Sequence, residues 1–233
     1  DILTYLYFNK MNIDPNNPKM ENRDRFVLSK GHAAPALYSV LANRGYFDTE
    51  LLKTLRQIGS ILQGHPDMKH IPGVDMSTGS LGQGISAAVG MALSAKHFGN
   101  DFKVYTVLGD GEIEEGQVWE ATMFAANKGL SNLTAFVDYN NLQIDGTIEE
   151  VNSAAPIDKK FEAFNWHTII IDGHDFDQIE AALNEAETVD KPVAIIAKTV
   201  KGKGVSFMEN KVNWHGSAPN DEQYAQAIAE LKK

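Results

Sequence analysis

Asp110 and Asn140 are the residues whose types and setting point most directly to chemistry. A hydrophobic run, Val104 to Leu108, stops at Gly109-Asp110-Gly111, and a second, Leu133 to Val137, stops at Asp138-Tyr139-Asn140-Asn141. In an open parallel sheet, ligands bind outside the carboxyl ends of the strands. Two such ends joined by one helix would hold a carboxylate and an amide oxygen side by side. Those are the hard donors that Mg²⁺ or Ca²⁺ prefers.

Other chemistry-bearing residues stand at comparable places. His32 follows Ser29-Lys30-Gly31, at the end of a short apolar strand (Phe26 to Leu28) and the start of a helix. It reads either as structural or as a ring free to reach a ligand. His65 lies between Gly64 and Pro66 in an irregular loop, a setting that favours function. His70 and His97 have no such setting and read as solvated. Ser77 to Gly84 is either a tight loop into a buried helix or a run of N–H groups offered to an anion. Glu112, Glu114, Glu115 and Glu120 crowd the helix after Gly111. Complementing the helix dipole explains Glu112 and Glu114. It explains Glu115 and Glu120 less well, because Val118, Trp119 and Met123 lie close by on an apolar surface. A carboxylate forced into such a place binds protons more tightly and can pass them on. Lys198 to Gly204 (KTVKGKG) is a mobile basic loop, either solvated or approaching a phosphate, and Trp214-His215-Gly216 follows it.

The elements that must position these groups alternate along the chain. Apolar periodicity predicts helices over 1–11, 33–43, 48–58, 83–98, 176–188 and 220–232. Gly45 stops the second and Asp48 or Thr49 caps the third. Strands are predicted at Phe26 to Leu28, 103–108, Leu133 to Val137, Asn165 to Ile171 and Pro192 to Ala197. Another polar cluster, Asp172-Gly173-His174-Asp175, ends the fourth. Continuous apolar strands alternating with helices mean a parallel sheet covered on both faces.

Composition narrows the function classes. The 233 residues are 43% hydrophobic and 22% charged, enough to bury a sizeable core. The net charge of −10 argues against nucleic acid or an anionic membrane as the main partner. An anionic ligand must then be met by a local device: a metal, a helix N-terminus or a few histidines. The absence of cysteine excludes disulfide and thiolate chemistry and fits a reducing cytoplasm. No glycine fingerprint of the dinucleotide type follows the first strand.

In order, DRFVLSKGHAAPALYSVL, GHPD, STGSLGQGISAAVGMA, GDGEIEEGQVWEA, VDYNNLQIDG and KTVKGKGVSFMENKVNWHG resemble the amino-terminal, thiamine diphosphate-binding domain of transketolases. A lone GDG would be a weak signal; the ordered series covers nearly the whole chain. The resemblance implies one α/β domain over 1–233, a parallel sheet flanked by helices on both faces. It implies a divalent cation, Mg²⁺ with Ca²⁺ or Mn²⁺ as substitutes, held by the Asp110 carboxylate, the Asn140 side-chain oxygen and the Leu142 carbonyl. That ion anchors the diphosphate of thiamine diphosphate. Gly109, Gly111 and Glu112 join the cofactor set, Gly111 because it lets a backbone N–H approach the phosphate closely. His32 and His215 match histidines at the diphosphate and thiazolium side. Gly79 and Leu81 match backbone contacts to the aminopyrimidine, and His65 matches a contact to the donor sugar. Glu115 and Glu120 match a proton relay across the dimer interface.

The implied reaction moves a two-carbon ketol unit from a ketose phosphate to an aldose, with the cofactor as electron sink. Two departures from the family stand out. A helical pattern is already under way at Asp1, so an SGHPGG-like segment carrying another histidine is expected before it. The chain also stops where a full transketolase continues into a pyrimidine-binding domain, whose glutamate activates the aminopyrimidine. The exposed final helix with its Lys232-Lys233 tail reads as a natural end. The expectation is therefore the first subunit of a split transketolase. It would work with a C-terminal, pyrimidine-domain subunit in a heterotetramer or a dimer of halves. Split relatives for branched or sulfonated sugars would look alike in this half. A non-catalytic scaffold subunit is the reading from another class, and intact Asp110, Asn140, His32, His65 and His215 oppose it.

Overall fold

Five parallel strands carry the molecule: β1 (Arg25–Leu28), β2 (Val104–Gly109), β3 (Leu133–Tyr139), β4 (His167–Asp172) and β5 (Val193–Lys198). The computed structural model describes residues 1–232, so Lys233 of the expected tail lies outside the described residues. The helices are α1 (Ile2–Tyr5, running on as a π-helical turn over Leu6–Lys10), α2 (Ala34–Arg44), α3 (Gly84–Phe98), α4 (Gly116–Asn127), α5 (Ile148–Val151), α6 (Ile157–Ala163), α7 (Phe176–Thr188) and α8 (Asp221–Leu231).

Alternation along the strands divides the core in two. Leu28, Tyr105, Val107, Phe136 and Ile195 pack with α1, α2 and α7. Val27, Leu108, Ala135, Val137 and Ile196 pack with α3, α4 and α6. Because both faces are covered, β2 is buried throughout, as are Leu133–Val137 and Val193–Ala197. The apolar runs of the sequence therefore become a doubly covered parallel sheet, as expected.

The strand order is β1-β2-β3-β5-β4. β2 and β3 lie side by side with Gly109 opposite Asp138, so the two polar strand ends open at the same level. β5 inserts between β3 and β4, with Tyr139 opposite Lys198. That insertion brings the segment after Lys198 alongside the end of β3.

Gly45 (φ 99°) and Gly99 (φ 71°) stop α2 and α3 in the left-handed conformation that glycine tolerates. Several local expectations need correction. The first helix keeps α geometry only to Tyr5 before loosening to π. The helix expected over 48–58 is a 3₁₀ helix at Thr49–Thr54. Asp48 caps it, accepting from the Glu50 N–H at 2.9 Å, but Arg56 (φ 59°) and Gly59 (φ 85°) turn the chain away. α5 and α6 occupy a stretch where no helix was expected, since four and seven residues are too few for a readable period. A reciprocal cap between Thr147 and Glu150 starts α5. Among the described residues no helix is long and apolar enough to cross a membrane.

Candidate active site

The ends of the strands open on a cleft of about 390 Å³. Asp110, at the end of β2, is only 3% exposed. Its Oδ1 accepts from the Gly111 N–H at 2.9 Å and its Oδ2 from the Asn141 N–H at 2.7 Å. The second bond links the ends of β2 and β3, the adjacency the sequence pattern called for. Burial pushes the Asp110 carboxyl up to about 6, against the pull of these N–H donors and Lys30. Asn141 makes the turn at φ 63°, in the left-handed region that asparagine enters more readily than most residues. Asn140 Oδ1 accepts from the Leu142 N–H at 3.2 Å, and Leu142 pairs with Thr147 to close the loop. Asp110, Asn140 and Leu142 all line the cleft. Among the described residues no group of three or more His, Asp or Glu side chains could hold a metal ion. An ion at Asp110 would have to draw on amide, main-chain and ligand oxygens. That donor set is hard and suits a cation of the Mg²⁺ type.

The same cleft is lined by Lys30, His32, Lys201 and His215. Lys30 Nζ pairs with Asp138 at 2.7 Å, and Asp138 also accepts from the Thr199 hydroxyl. Burial opposes ionisation of Asp138, but Lys30, Thr199 and Lys201 outweigh it and hold its carboxyl below the usual range. The His32 and His215 rings stack with centroids 5.4 Å apart. Lys201 Nζ lies 3.3 Å from His215 Nδ1, and a lysine ammonium can only donate, so Nδ1 accepts. Burial first, then Lys30, His215 and Lys201, pushes His32 down to about 4. Burial and the two lysines also lower His215. Both rings are therefore neutral at pH 7, and the positive charge of the cleft belongs to the lysines. The Lys198–Gly204 loop, open in sequence between a solvated and a phosphate-facing role, puts Lys201 into the cleft. Lys30 was not singled out in the sequence. Its signal was its place between a strand end and Gly31-His32.

The glycine-rich segment forms another wall. Gly79 (φ 150°) and Leu81 line the cleft, with Leu81 40% exposed. His65 does not line it. It borders an adjoining cleft of about 530 Å³ with Met76 to Ser80, Gln83 and Gly84, and Gly79 is common to both. A Cβ at Gly79 would stand 3.0 Å from His65 Cγ, so the ring rests against that glycine. The Tyr38 hydroxyl lies 2.9 Å from the Gln63 and His65 carbonyls and pins this loop.

The acidic run after Gly111 folds differently from the single acidic helix expected of it. Glu112–Glu114 form a separate 3₁₀ turn, and α4 starts only at Gly116. Glu112 does not complement a helix dipole at the surface. It is 3% exposed and accepts from the Ser29 hydroxyl and the Gly82 and Gly109 N–H groups. Glu114 accepts from Gln143 Nε2 at 2.5 Å. Glu115 and Glu120 are not forced against apolar surface: both are exposed, while Val118, Ala121, Thr122 and Ala125 turn inward. His70 and His97 are exposed, as expected.

The whole described chain, residues 1–232, matches the transketolase thiamine diphosphate-binding domain. It is 50% identical over 236 residues to a 6-deoxy-6-sulfo-D-fructose transketolase subunit of Clostridium sp. (strain MSTE9), covering 100% of this chain and 85% of the relative. It is 43% identical to an apulose-4-phosphate transketolase subunit of Phocaeicola vulgatus, covering 100% of this chain and 83% of the relative. The solved transketolase of Leishmania mexicana superposes with a TM-score of 0.95 at 32% identity; the match takes in 100% of this chain and 36% of that one. The chain thus spans most of the length of subunit-type relatives and about a third of a long transketolase. A parallel sheet whose strand ends hold carboxylate and amide oxygens beside half-buried lysines, matched along its entire length, makes this chain a member of the transketolase family, comprising its thiamine diphosphate-binding domain.

Proposed function

We propose that this chain is one half of the active site of a split transketolase. It would bind thiamine diphosphate through Mg²⁺ and, with a pyrimidine-domain partner, transfer a two-carbon ketol unit from a ketose phosphate to an aldose phosphate. The observation that carries the reading is the division of the cleft. Asp110 and Asn140 offer oxygens to a cation, and Lys30 and Lys201 offer charge to an anion, in one volume of about 390 Å³. A metal diphosphate needs both.

Each residue then has a role suggested by its place in the cleft or by the family resemblance. Asp110, Asn140 and the Leu142 carbonyl hold the cation, and Gly111 leaves room for its N–H to reach a phosphate oxygen. Lys201 donates to the diphosphate and orients His215 through Nδ1. Neutral His32 and His215 can take up or donate a proton beside the reacting carbon, which a permanently charged side chain could not do. His65, in the adjoining cleft, contacts the donor sugar. Gly79 and Leu81 support the aminopyrimidine through their backbone. When bound, the cofactor supplies the electron sink for carbon–carbon bond cleavage. Buried Asp110 and Glu112 and half-buried Asp138 are each engaged by protein donors, and by the family resemblance the acid that activates the aminopyrimidine would come from the partner. Exposed Glu115 and Glu120 face that partner and relay protons.

A reconstitution experiment tests this. Calorimetry should show thiamine diphosphate and Mg²⁺ binding when the partner is present, and ketol transfer should appear only with the partner. Substantial transfer by the purified chain alone would refute the split reading. Absence of cofactor binding in the reconstituted pair would favour a scaffold. A second reading concerns the sugar. The 50% identity to a sulfofructose transketolase subunit favours a sulfonated donor. Comparing kcat/KM for 6-deoxy-6-sulfo-D-fructose, apulose 4-phosphate and a pentulose phosphate would decide between them.

A further inference from the structure

We infer that Glu112 is a positioning residue: its buried carboxylate clamps together the three segments that build the cofactor cleft. The inference rests on the cofactor reading above for its consequence, but not for its geometry.

The segment after β1 carries His32, the glycine-rich segment before α3 carries Gly79 and Leu81, and the segment after β2 carries Asp110. No strand pairing joins all three at this level. Glu112 does. Its Oε1 accepts from the Ser29 hydroxyl and, at 3.0 Å, from the Gly82 N–H; its Oε2 accepts from the Gly109 N–H at 2.9 Å. Glu112 itself belongs to the segment after β2, and its donors come from the other two segments and from Gly109, the last residue of β2. The carboxylate is 3% exposed, so water does not compete for it, and bonds to a charged acceptor are the strong ones.

The segments meet at backbone distance at the cleft; the other tie between the first two is the buried Asp75 carboxylate, outside the cleft lining, which accepts from the Phe26 N–H at 2.8 Å. A Cβ at Gly84 would stand 2.6 Å from Ser29 Cα, and one at Gly31 would stand 2.7 Å from the Gly79 nitrogen. With small residues at the contacts, side-chain packing cannot set the spacing. A three-point acceptor can, and it fixes His32, Leu81 and Asp110 relative to one another before any ligand arrives. Such preorganisation lowers the ordering cost of binding.

The test measures amide hydrogen exchange in the full chain without cofactor, then thiamine diphosphate affinity with Mg²⁺ and partner. Glu112→Ala should speed exchange at the Gly82 and Gly109 amides by roughly tenfold or more, the scale of a charge-assisted bond. Ile195, deep in β5, should keep its protection. Cofactor affinity should fall by roughly tenfold or more. Glu112→Gln keeps the shape but has one acceptor oxygen and one NH₂ group. It should speed exchange at only one of the two glycine amides, and it serves if the alanine variant fails to fold. Unchanged protection at both glycines in a folded variant would overturn the clamp. So would a uniform rise that includes Ile195, which would mark a general contribution to the fold. A wild-type pair that binds no thiamine diphosphate overturns the cofactor reading instead, while the exchange pattern still decides the clamp.

Discussion

Two lysines let a protein of net charge −10 offer a positive surface to an anion. Lys30 is partly neutralised by Asp138 at 2.7 Å, so Lys201 carries more of the free charge. Replacing Lys201 by Met should therefore weaken thiamine diphosphate binding by roughly 10- to 100-fold, the range for one hydrogen bond to a charged group. Calorimetry on the reconstituted pair would read it, and an unchanged affinity would remove Lys201 from the site. His32 makes a pH prediction. Its pKa is about 4 folded against 6.5 for a free imidazole, because burial and neighbouring cations disfavour its charged form. The unfolded chain thus takes up the proton first as pH falls. The stability tied to neutral His32 is present in full above about 6.5 and is lost as pH drops toward 4. Thermal melts from pH 7 to pH 4 should show His32→Gln losing less stability than the wild type. Parallel curves would contradict the assignment.

At the scale of elements, the cleft depends on how closely β1 and the glycine-rich segment approach. Gly31 is the sharpest probe. A Cβ there would meet the Gly79 nitrogen at 2.7 Å and Thr78 Oγ1 at 2.8 Å, backbone and buried atoms that have no room to move. Gly31→Ala should cost about 1–3 kcal/mol of stability, as overpacking does. Urea unfolding would measure it, and a cost near zero would mean the two segments part freely. Much of this level was legible in sequence. Gly45 marked the end of α2, and Asp48 or Thr49 the cap of the turn that follows, of which the structure uses Asp48, because caps and stops act through local backbone geometry. The shortening of the helix after Asp48 was not legible, since nothing in the residue types marks Arg56 for positive φ.

At the scale of the molecule, the diphosphate cannot be held by bulk charge, so its binding should depend on the cation. Removing divalent metal with a chelator should lower thiamine diphosphate affinity by roughly 100-fold or more, and Mg²⁺ should restore it. The loss of a direct charge contact inside a partly dry cleft sets that scale. Titration of the reconstituted pair with and without chelator would check it; metal-independent binding would assign the oxygens of Asp110 and Asn140 another purpose. The exposed Glu115 and Glu120 belong to this scale as well, because only an assembly could bury them.

What the sequence determined by itself was whatever local pattern controls. Apolar runs became doubly covered strands, and small polar clusters after them became the rim of a cleft. Asp110 and Asn140 came together because consecutive parallel strands joined by one helix ordinarily pair. The tertiary structure alone decided the strand order. β5 inserted beside β3 delivers Lys201 to the cleft, and no periodicity in the chain records which strand neighbours which. It alone decided the fate of the acidic run too. Glu112 turns inward because Ser29 and Gly82, distant in sequence, bring donors to it, while Glu115 and Glu120, a few residues on, face outward. Carboxylates look alike in sequence; the donors that fold around them separate their roles.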